Sequence, residues 1–478
     1  MVPVSTNKVL WVLAVLAALV LGAAAVWLGG LNQDEGWYLY AANLVAEGQM
    51  PYRDFAFTQG PAMPYVYSLF AGIWRNYGLL GARIFTLAIG LLSIGVAMLI
   101  ARRINGSALV VFLLLGCNLY HLYYLAIPKT YALASLLVTL GFLLLTFDSV
   151  LAVFAAGLLL ALSAGARISL GGLLAAAGVW MFIKNPRLMA ENRRCNWLWF
   201  ALGGALGLAL CYGPFLINDV ARAGLLEAQR YHTAREATGV FFALGSMSRL
   251  VRWYLPLMVL LAVLVVQRRR LEGGVLLLAP LAVMAVQLLA PFPYEDYQLP
   301  LIGILAAVAS MAKVEALPVA LLSFALAFGN PLLEKWAVDG QDRLWPLKKD
   351  KCELAQLREA AREIEALDPG GSQLLTQDLY LAVETGRKVP RGLEMGPFSI
   401  MTDEEWRALL ELSPCPVAAL SGYTFAIEPP SCRERDLAQQ LEYWQILKTR
   451  YTLADRIERF GQNATTLLIL KLQEAPLP

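Results

Sequence analysis

Apolar runs dominate the first 330 residues of the chain and recur at intervals that suit membrane helices. The first run extends from Val9 to Leu28, close to the roughly 20 residues that a helix needs to cross a bilayer. The later runs lie at residues 82–101, 107–126, 130–147, 150–166, 169–183, 196–217, 251–267, 274–291, 297–312 and 315–332. The pattern predicts about eleven membrane spans, of which the shorter ones can merge or re-enter.

Basic residues gather in a few of the loops between these runs, namely Arg102–Arg103, Lys184–Arg194, Arg268–Arg270 and Lys313. If the N-terminus is cytoplasmic, alternating spans place all of these loops in the cytoplasm, as the positive-inside rule requires. The outer face then receives the loops 30–81, 218–250 and 291–298 and the turns at Lys129 and Arg167. Since the number of spans is odd, we expect everything after residue 332 to be periplasmic or extracellular.

The pattern changes abruptly after residue 332, which divides the chain into a membrane domain, 1–332, and a soluble domain, 333–478. The tail has helical patterning at 350–367, near 403–412 and at 434–449. Strand-like runs lie at 373–375, 417–420, 423–427 and 465–470. This alternation predicts a small α/β domain, in which Cys415 and Cys432 are spaced to close a disulfide loop.

The overall composition agrees with a multi-pass protein of the cytoplasmic membrane. The chain is 58% hydrophobic and 16% charged, whereas soluble domains are about 25% charged. A net charge of +3 is too small to indicate a nucleic-acid partner. Two histidines and six cysteines, without CxxC spacing, predict no structural metal site.

The outer loop 30–81 carries the leading candidates for chemistry. Asp34 and Glu35 follow directly on the end of the first apolar run. A carboxylate near the bilayer is retained where it has a partner or a function, so we take Asp34 as the candidate catalytic residue and Glu35 as its neighbour in the site. The segment that follows, rich in tyrosine and alanine, predicts a helix lying along the membrane surface.

Cations and a second acidic pair lie on the same predicted face. Lys129 and Arg167 interrupt apolar hairpins, where an unpaired cation is costly, so each is expected to hold an anion or an internal carboxylate. In the motif PFPYEDYQLP, two carboxylates lie between tyrosines where the chain re-enters the membrane, and we expect this motif to face the same cavity as Asp34. The candidate substrate-binding residues are Arg53, Lys129, Arg167, Tyr294, Glu295 and Asp296.

These residues resemble a known family. The run DEGWYLYAANLVAEGQMPYRDF, the later PYEDYQLPL and the layout of many helices with a soluble tail are similar to the GT-C membrane glycosyltransferases. Within them the likeness is to bacterial relatives of protein O-mannosyltransferases and to the aminoarabinose and galacturonic acid transferases. The resemblance implies a mainly α, polytopic GT-C fold and transfer of a sugar from a polyprenyl phosphate to a lipid, glycan or protein acceptor.

The resemblance also implies roles for individual residues. Asp34 becomes the general base or acceptor-orienting carboxylate, with Glu35 beside it. The family's phosphate contacts vary, so it is from their positions in this sequence that we expect Arg167 and Lys129 to stabilise the departing lipid phosphate. Many relatives need no metal and no other cofactor, but some hold a divalent cation with carboxylates. In this sequence Asp34 with Glu295 or Asp296 would be the candidates for such a site.

Two other functions fit a polytopic chain with buried charges. A transporter or lipid flippase commonly has paired inverted repeats and polar breaks at the bilayer midplane, whereas here the charges gather at one face and the two halves differ. An O-antigen ligase or polymerase also uses polyprenyl-linked sugars, but lacks this acidic pair in the first outer loop. The sequence favours the glycosyltransferase over both.

Overall fold

A computed structural model describes residues 6–183, 196–233, 238–267, 274–330, 352–399, 401–421, 437–462 and 464–473. The apolar runs fold as helices, numbered in order along the chain. They are α1 Thr6–Trp27, α2 Gln33–Ala46, α3 Ala62–Ser68, α4 Gly72–Arg103, α5 Ala108–Leu115, α6 Leu119–Ala126, α7 Thr130–Leu144 and α8 Val150–Ala166. The series continues with α9 Gly171–Ile183, α10 Asn196–Ile217, α11 Asp219–Thr233, α12 Val240–Trp253, α13 Leu255–Val266, α14 Gly274–Leu288, α15 Leu299–Ala309 and α16 Ala316–Phe328.

Several of these helices are suited to a membrane. In the described part of the chain, α1, α4 and α10 are each long and apolar enough to cross a bilayer. The pairs α5–α6 and α12–α13 pass the same test together, but they are bent by 74° and 88°. Five further apolar helices, including α7 and α8, have 10–17 residues. The predicted polytopic helical fold is therefore confirmed, although many of the predicted spans are short or broken helices.

The apolar run at 107–126 forms two helices rather than one straight span. Asn118 accounts for the break, because its side chain accepts a hydrogen bond from the backbone N–H of His121 and so caps α6. The same side chain donates to the carbonyl of Trp253, the last residue of α12, at 2.9 Å. The two bends therefore lie against each other.

Contacts between loops identify one end of the bundle. The Nε atom of Arg103 donates to Thr146 at 2.7 Å, and Gln267 accepts from the backbone N–H of Lys313 at 3.0 Å. The backbone of Ser107 also contacts that of Ser310. Two of the predicted cytoplasmic basic loops, at Arg102–Arg103 and Lys313, lie at this end. The other two basic loops, Lys184–Arg194 and Arg268–Arg270, lie outside the described residues.

The soluble tail contains helices and a small sheet. Its helices are α17 Glu353–Leu367, α18 Leu379–Thr385, α19 Asp403–Leu412 and α20 Leu437–Arg450, and its strands are β1 Val417–Ser421, β2 Tyr451–Phe460 and β3 Thr465–Leu472. The antiparallel sheet has the order β1-β3-β2, with Val417 opposite Lys471. β1 and β3 confirm two predicted strands, whereas β2 was missed because six of its ten residues are exposed and charged residues interrupt its apolar pattern.

Two of the other predictions for the tail have different outcomes. The run at 373–375 forms isolated bridges, to Lys388 and to Ala418, instead of a strand. The run at 423–427 and Cys432 lie outside the described residues, as does the boundary region 331–351. The disulfide between Cys415 and Cys432 therefore remains a prediction.

The soluble tail packs on α2. Gln33, in the first turn of α2, donates its Nε2 hydrogen to Asp378 at 2.6 Å, and the hydroxyl of Tyr40 accepts from the backbone N–H of Val389 at 3.0 Å. Most side chains of α2 are buried on both sides of the helix. The helix predicted in this segment is therefore present, and it lies between the membrane helices and the soluble tail.

Candidate active site

The first turn of α2 is held by a capping box, which fixes the direction of its acidic residues. The side chain of Asn32 accepts from the backbone N–H of Asp34 at 3.0 Å. The carboxylate of Glu35 accepts in return from the backbone N–H of Asn32 at 2.9 Å. Consecutive residues on a helix point about 100° apart, so Asp34 and Glu35 face different surroundings.

Glu35 forms a fully buried ion pair with Arg83 of α4. Its two carboxylate oxygens accept from Nε and Nη2 of Arg83 at 2.7 and 2.6 Å, and both side chains have no solvent exposure. The guanidinium also donates to the carbonyls of Val26, Gly29 and Gly30 at the end of α1. Glu35 therefore ties α2 to α1 and α4, with its carboxylate directed at Arg83.

Asp34 instead belongs to a network with one cation and a second carboxylate. The Nζ atom of Lys129, just before α7, lies 2.6 Å from Asp34 Oδ2 and 3.5 Å from Asp296 Oδ2. Asp296 also accepts from the hydroxyl of Tyr131 at 2.7 Å. The motif around Asp296 and the first outer loop thus meet at one point, as the sequence predicts.

Asp34 is held as a carboxylate by its neighbours. Burial raises the pKa of Asp34, but the charge and hydrogen bond of Lys129 lower it, and so does the indole N–H of Trp37, which donates to Oδ1 at 3.0 Å. The net effect leaves the pKa of Asp34 below its ordinary value. This carboxylate is therefore ionised at neutral pH and can accept a proton.

Arg167 is a buried cation whose contacts are with neutral groups. It follows α8, and its guanidinium carbon lies 4.2 Å from the ring centroid of Tyr297 and 5.0 Å from that of Tyr131. Nη1 contacts the hydroxyl of Thr130 at 3.5 Å. Its buried Nε has no hydrogen-bond partner within the described part of the chain. An orphaned donor on a buried guanidinium is suited to bind an anion.

A cavity of about 800 Å³ joins these groups. Six of the candidate residues line it, namely Asp34, Lys129, Arg167, Tyr294, Glu295 and Asp296. Glu295 in addition accepts from Nε of Arg249 on α12 at 2.9 Å. Arg53 is not among the lining residues: its guanidinium pairs with Asp54 on an exposed turn, 2.7 Å away.

One flank of the cavity is apolar and open. It is lined by Ile168, Val286 and Leu289, whose exposed fractions are 47%, 67% and 85%. These three residues border both the cavity and the outside of the bundle, so the cavity has an aliphatic rim on this side.

Part of the cavity wall belongs to the soluble tail. Phe398 and Gln462 reach the cavity wall, and Gln462 accepts from the backbone N–H of Gln33 at 2.8 Å. Sequence reasoning did not identify these residues, because neither carries a charge or stands in a motif. Arg83 was missed as well. An arginine inside an apolar run is costly unless it has a buried partner, so its position alone predicts a nearby carboxylate such as Glu35.

A divalent cation does not fit this arrangement. The ammonium of Lys129 stands between Asp34 and Asp296, where such an ion would have to lie, and like charges repel. Within the described ranges, no group of three or more His, Cys, Asp or Glu side chains is placed to hold a metal. Glu295, the other candidate ligand, is paired with Arg249.

Comparison with known proteins gives matches at the level of structure. No protein-family model matches the sequence, and no curated protein matches it. ArnT from Cupriavidus metallidurans bound to undecaprenyl phosphate superposes with a TM-score of 0.62 at 15% identity, covering 98% of each chain. Its apo structure gives a TM-score of 0.58 with the same identity and coverage.

A third match is the oligosaccharyltransferase of Archaeoglobus fulgidus tethered with an acceptor peptide, with a TM-score of 0.50 at 13% identity. It covers 99% of this chain and 75% of the other. At such identities the likeness concerns the fold. The chain therefore has, along nearly its whole length, the fold of the GT-C membrane glycosyltransferases.

Proposed function

We propose that the protein is an integral membrane glycosyltransferase that acts at the outer face of the cytoplasmic membrane. It transfers a sugar from a polyprenyl-phosphate donor to a hydroxyl group of a lipid, glycan or protein acceptor. One observation carries the proposal: a single cavity with an aliphatic rim on one side is lined by both the carboxylate Asp34 and the buried cation Arg167. A carboxylate and an anion-binding guanidinium are the two groups that this reaction needs.

Arg167 is assigned to the phosphate of the donor. A guanidinium offers five donors in a planar fork, and this one lies beside two tyrosine rings and has no partner for its Nε among the residues that the structure describes. Phosphate oxygens would accept from it in a site of low dielectric, where such bonds are strong. When the sugar departs, the same contact stabilises the polyprenyl phosphate anion.

The apolar flank supplies a route for the lipid. Val286 and Leu289 on and after α14, with Ile168 beside Arg167, form an aliphatic surface that leads from the bilayer to the guanidinium. A prenyl chain could lie there with its phosphate at Arg167 and its sugar toward Asp34. The solved ArnT structure was obtained bound to undecaprenyl phosphate, which supports a lipid-linked donor for this fold.

Asp34 is assigned as the general base. The acceptor oxygen attacks the anomeric carbon, the bond from that carbon to the phosphate oxygen breaks, and the hydroxyl proton passes to Asp34 Oδ2 or Oδ1. Lys129 keeps the carboxylate ionised before the reaction. Glu35 takes no part in this step, because its side chain is fully buried against Arg83 and does not line the cavity.

The proposal is tested by transfer from a polyprenyl-phosphate sugar in liposomes, measured as release of polyprenyl phosphate. Asp34→Asn keeps the size of the side chain but removes the base, so we expect transfer to fall by at least about 100-fold. Asp54→Asn is the matched control, because Asp54 stands in the same outer loop outside the cavity. Normal transfer by Asp34→Asn in homogeneous protein would remove the proposed base.

A further inference from the structure

The ammonium of Lys129 is placed where it balances two carboxylates at once. Nζ lies 2.6 Å from Asp34 Oδ2 and 3.5 Å from Asp296 Oδ2. The side chain of Lys129 is 12% exposed, and those of Asp34 and Asp296 are 23% and 10% exposed. In this setting the solvent screens the charges poorly, so the two acids depend on the lysine between them.

The rest of the network keeps the two acids directed at that one point. Tyr131 donates its hydroxyl to the same Oδ2 atom of Asp296 that faces Lys129. Trp37 donates to the other oxygen of Asp34, which leaves Oδ2 for the ammonium. The two carboxylates come from segments more than 250 residues apart, so Lys129 also joins the first outer loop to the segment before α15.

Two converging carboxylates at an acidic centre are the donor set that hard divalent cations prefer. Such an ion binds oxygen ligands and carries the positive charge that this centre needs. Here the charge is supplied by the protein itself, and the ammonium stands in the position that the ion would need. The described site therefore leaves no room for a divalent cation between Asp34 and Asp296, because the ammonium of Lys129 occupies that position.

We propose that Lys129 is a positioning residue that supplies, as an ammonium, the cation holding Asp34 and Asp296 together, and that its removal turns this pair into a binding site for a divalent cation. The activity part of this inference rests on the proposed function. The binding part does not, because it concerns the two carboxylates and the lysine alone.

The binding part is tested with Mn²⁺ alone on the purified full-length protein in detergent. Electron paramagnetic resonance of free Mn²⁺ measures binding, and the shift of Tm on adding Mn²⁺ gives a second readout. We expect Lys129→Ala and the isosteric Lys129→Met to bind Mn²⁺ at least about tenfold more tightly than the wild type, since a repelling charge is gone. Their Tm should rise with Mn²⁺ while that of the wild type does not.

Two controls identify the site. The double variant Lys129→Ala with Asp34→Asn should lose the added binding, because one of the two carboxylates has become an amide. Arg249→Ala removes another cation from the rim of the cavity but leaves the single carboxylate Glu295, so it should gain no binding. Tight, Asp34-dependent Mn²⁺ binding by the wild type would overturn the proposal, and so would homogeneous Lys129 variants that gain none.

The activity part uses the transfer assay with a chelator or with added Mn²⁺. Wild-type transfer should be unchanged by the chelator, and the low activity of Lys129→Ala should recover by at least about tenfold with Mn²⁺. A wild type that the chelator inactivates contradicts this part. A protein without transfer under any condition, but with the expected Mn²⁺ binding, would refute the proposed function and leave the role of Lys129 intact.

Discussion

At the scale of single residues, Asp34 and Glu35 have different roles although they are neighbours in the sequence. Asp34 is directed into the cavity, where Lys129 and Trp37 hold it. Glu35 is directed away from it, to Arg83. One helical step of about 100° separates a proposed base from a residue that holds the fold together.

The buried pair of Glu35 and Arg83 predicts an effect on stability. Glu35→Gln leaves the guanidinium without its counter-charge in a site without solvent, which typically costs about 3–5 kcal/mol. We expect a clearly lower Tm in detergent for Glu35→Gln than for Asp34→Asn, whose side chain is partly exposed. If Glu35→Gln instead abolished transfer with an unchanged Tm, Glu35 would have a part in the chemistry.

Arg167 predicts an effect on the donor. Arg167→Lys keeps the charge but loses the planar fork, so the KM for the polyprenyl-phosphate sugar should rise, and it should rise further in Arg167→Ala. Loss of a charged hydrogen bond to a buried group typically corresponds to about 1.5–3 kcal/mol, or roughly 10- to 150-fold.

The matched control is Arg53→Ala, at an exposed turn outside the cavity, for which the KM should not change. The measurement is transfer at varied donor concentration in liposomes of constant composition. An unchanged KM in both Arg167 variants would show that this residue anchors the turn after α8 instead of binding the lipid phosphate.

The candidate residues that could be found from the sequence share one physical property. A charge near the bilayer is costly, so Lys129, Arg167 and Asp296 stand out from their apolar surroundings. The energetic cost of burying a charge does not show which way a side chain points or which partner it meets. For that reason the sequence analysis placed Glu35 in the site with Asp34. It also counted Arg53 among the substrate-binding candidates, although Arg53 pairs on the surface with its neighbour Asp54.

At the scale of elements, the position of α2 depends on close contact with α18 of the soluble tail. Gly36 makes this contact possible, since a Cβ atom there would lie 2.3 Å from the backbone N of Tyr380 and 2.7 Å from the carbonyl carbon of Leu379. Both neighbours are backbone atoms, which cannot rotate away as the end of a side chain can. Packing between the two helices thus fixes the turn that carries Asp34.

Gly36→Ala should therefore push α18 away from α2. We expect a lower Tm and reduced transfer, because Asp34 moves with the helix and overpacking typically costs about 1–3 kcal/mol. Gly95→Ala in α4 is the matched control, since nothing lies within 4 Å of the added methyl group, and alanine favours a helix over glycine. Equal Tm values for the two variants would contradict this account of the contact.

Hydropathy located the helices of the membrane domain but not their breaks. It measures the polarity of a segment, whereas the bend between α5 and α6 depends on Asn118 binding the carbonyl of Trp253, 135 positions away. In the tail, the sequence pattern did not predict β2, for a related reason. An edge strand with exposed polar residues has no alternating apolar pattern, and its pairing with β3 becomes visible only in the fold.

At the scale of the whole molecule, the polar groups divide between two ends. Arg103, at the end of α4, and Gln267 and Lys313, in the turns after α13 and α15, make contacts at one end of the bundle. The network of Asp34, Lys129 and the tail-lined cavity lies at the ends of other helices and under the soluble tail. A lipid-linked donor and a hydroxyl acceptor would meet at that second end, so the proposed function requires it to face away from the cytoplasm.

This requirement predicts the orientation of the chain in the membrane. Basic residues near membrane helices are retained in the cytoplasm, so a cysteine introduced at Arg102 or Lys313 should react with a membrane-impermeant maleimide only after the cells are lysed. A cysteine at Arg53 in the outer loop, or at the exposed Glu363 in α17 of the tail, should react in cells whose cytoplasmic membrane is intact. The background should lack the six native cysteines, so that each signal has one source. Labelling of Glu363 from the cytoplasmic side alone would place the cavity in the cytoplasm, where a donor presented at the outer face could not reach Asp34.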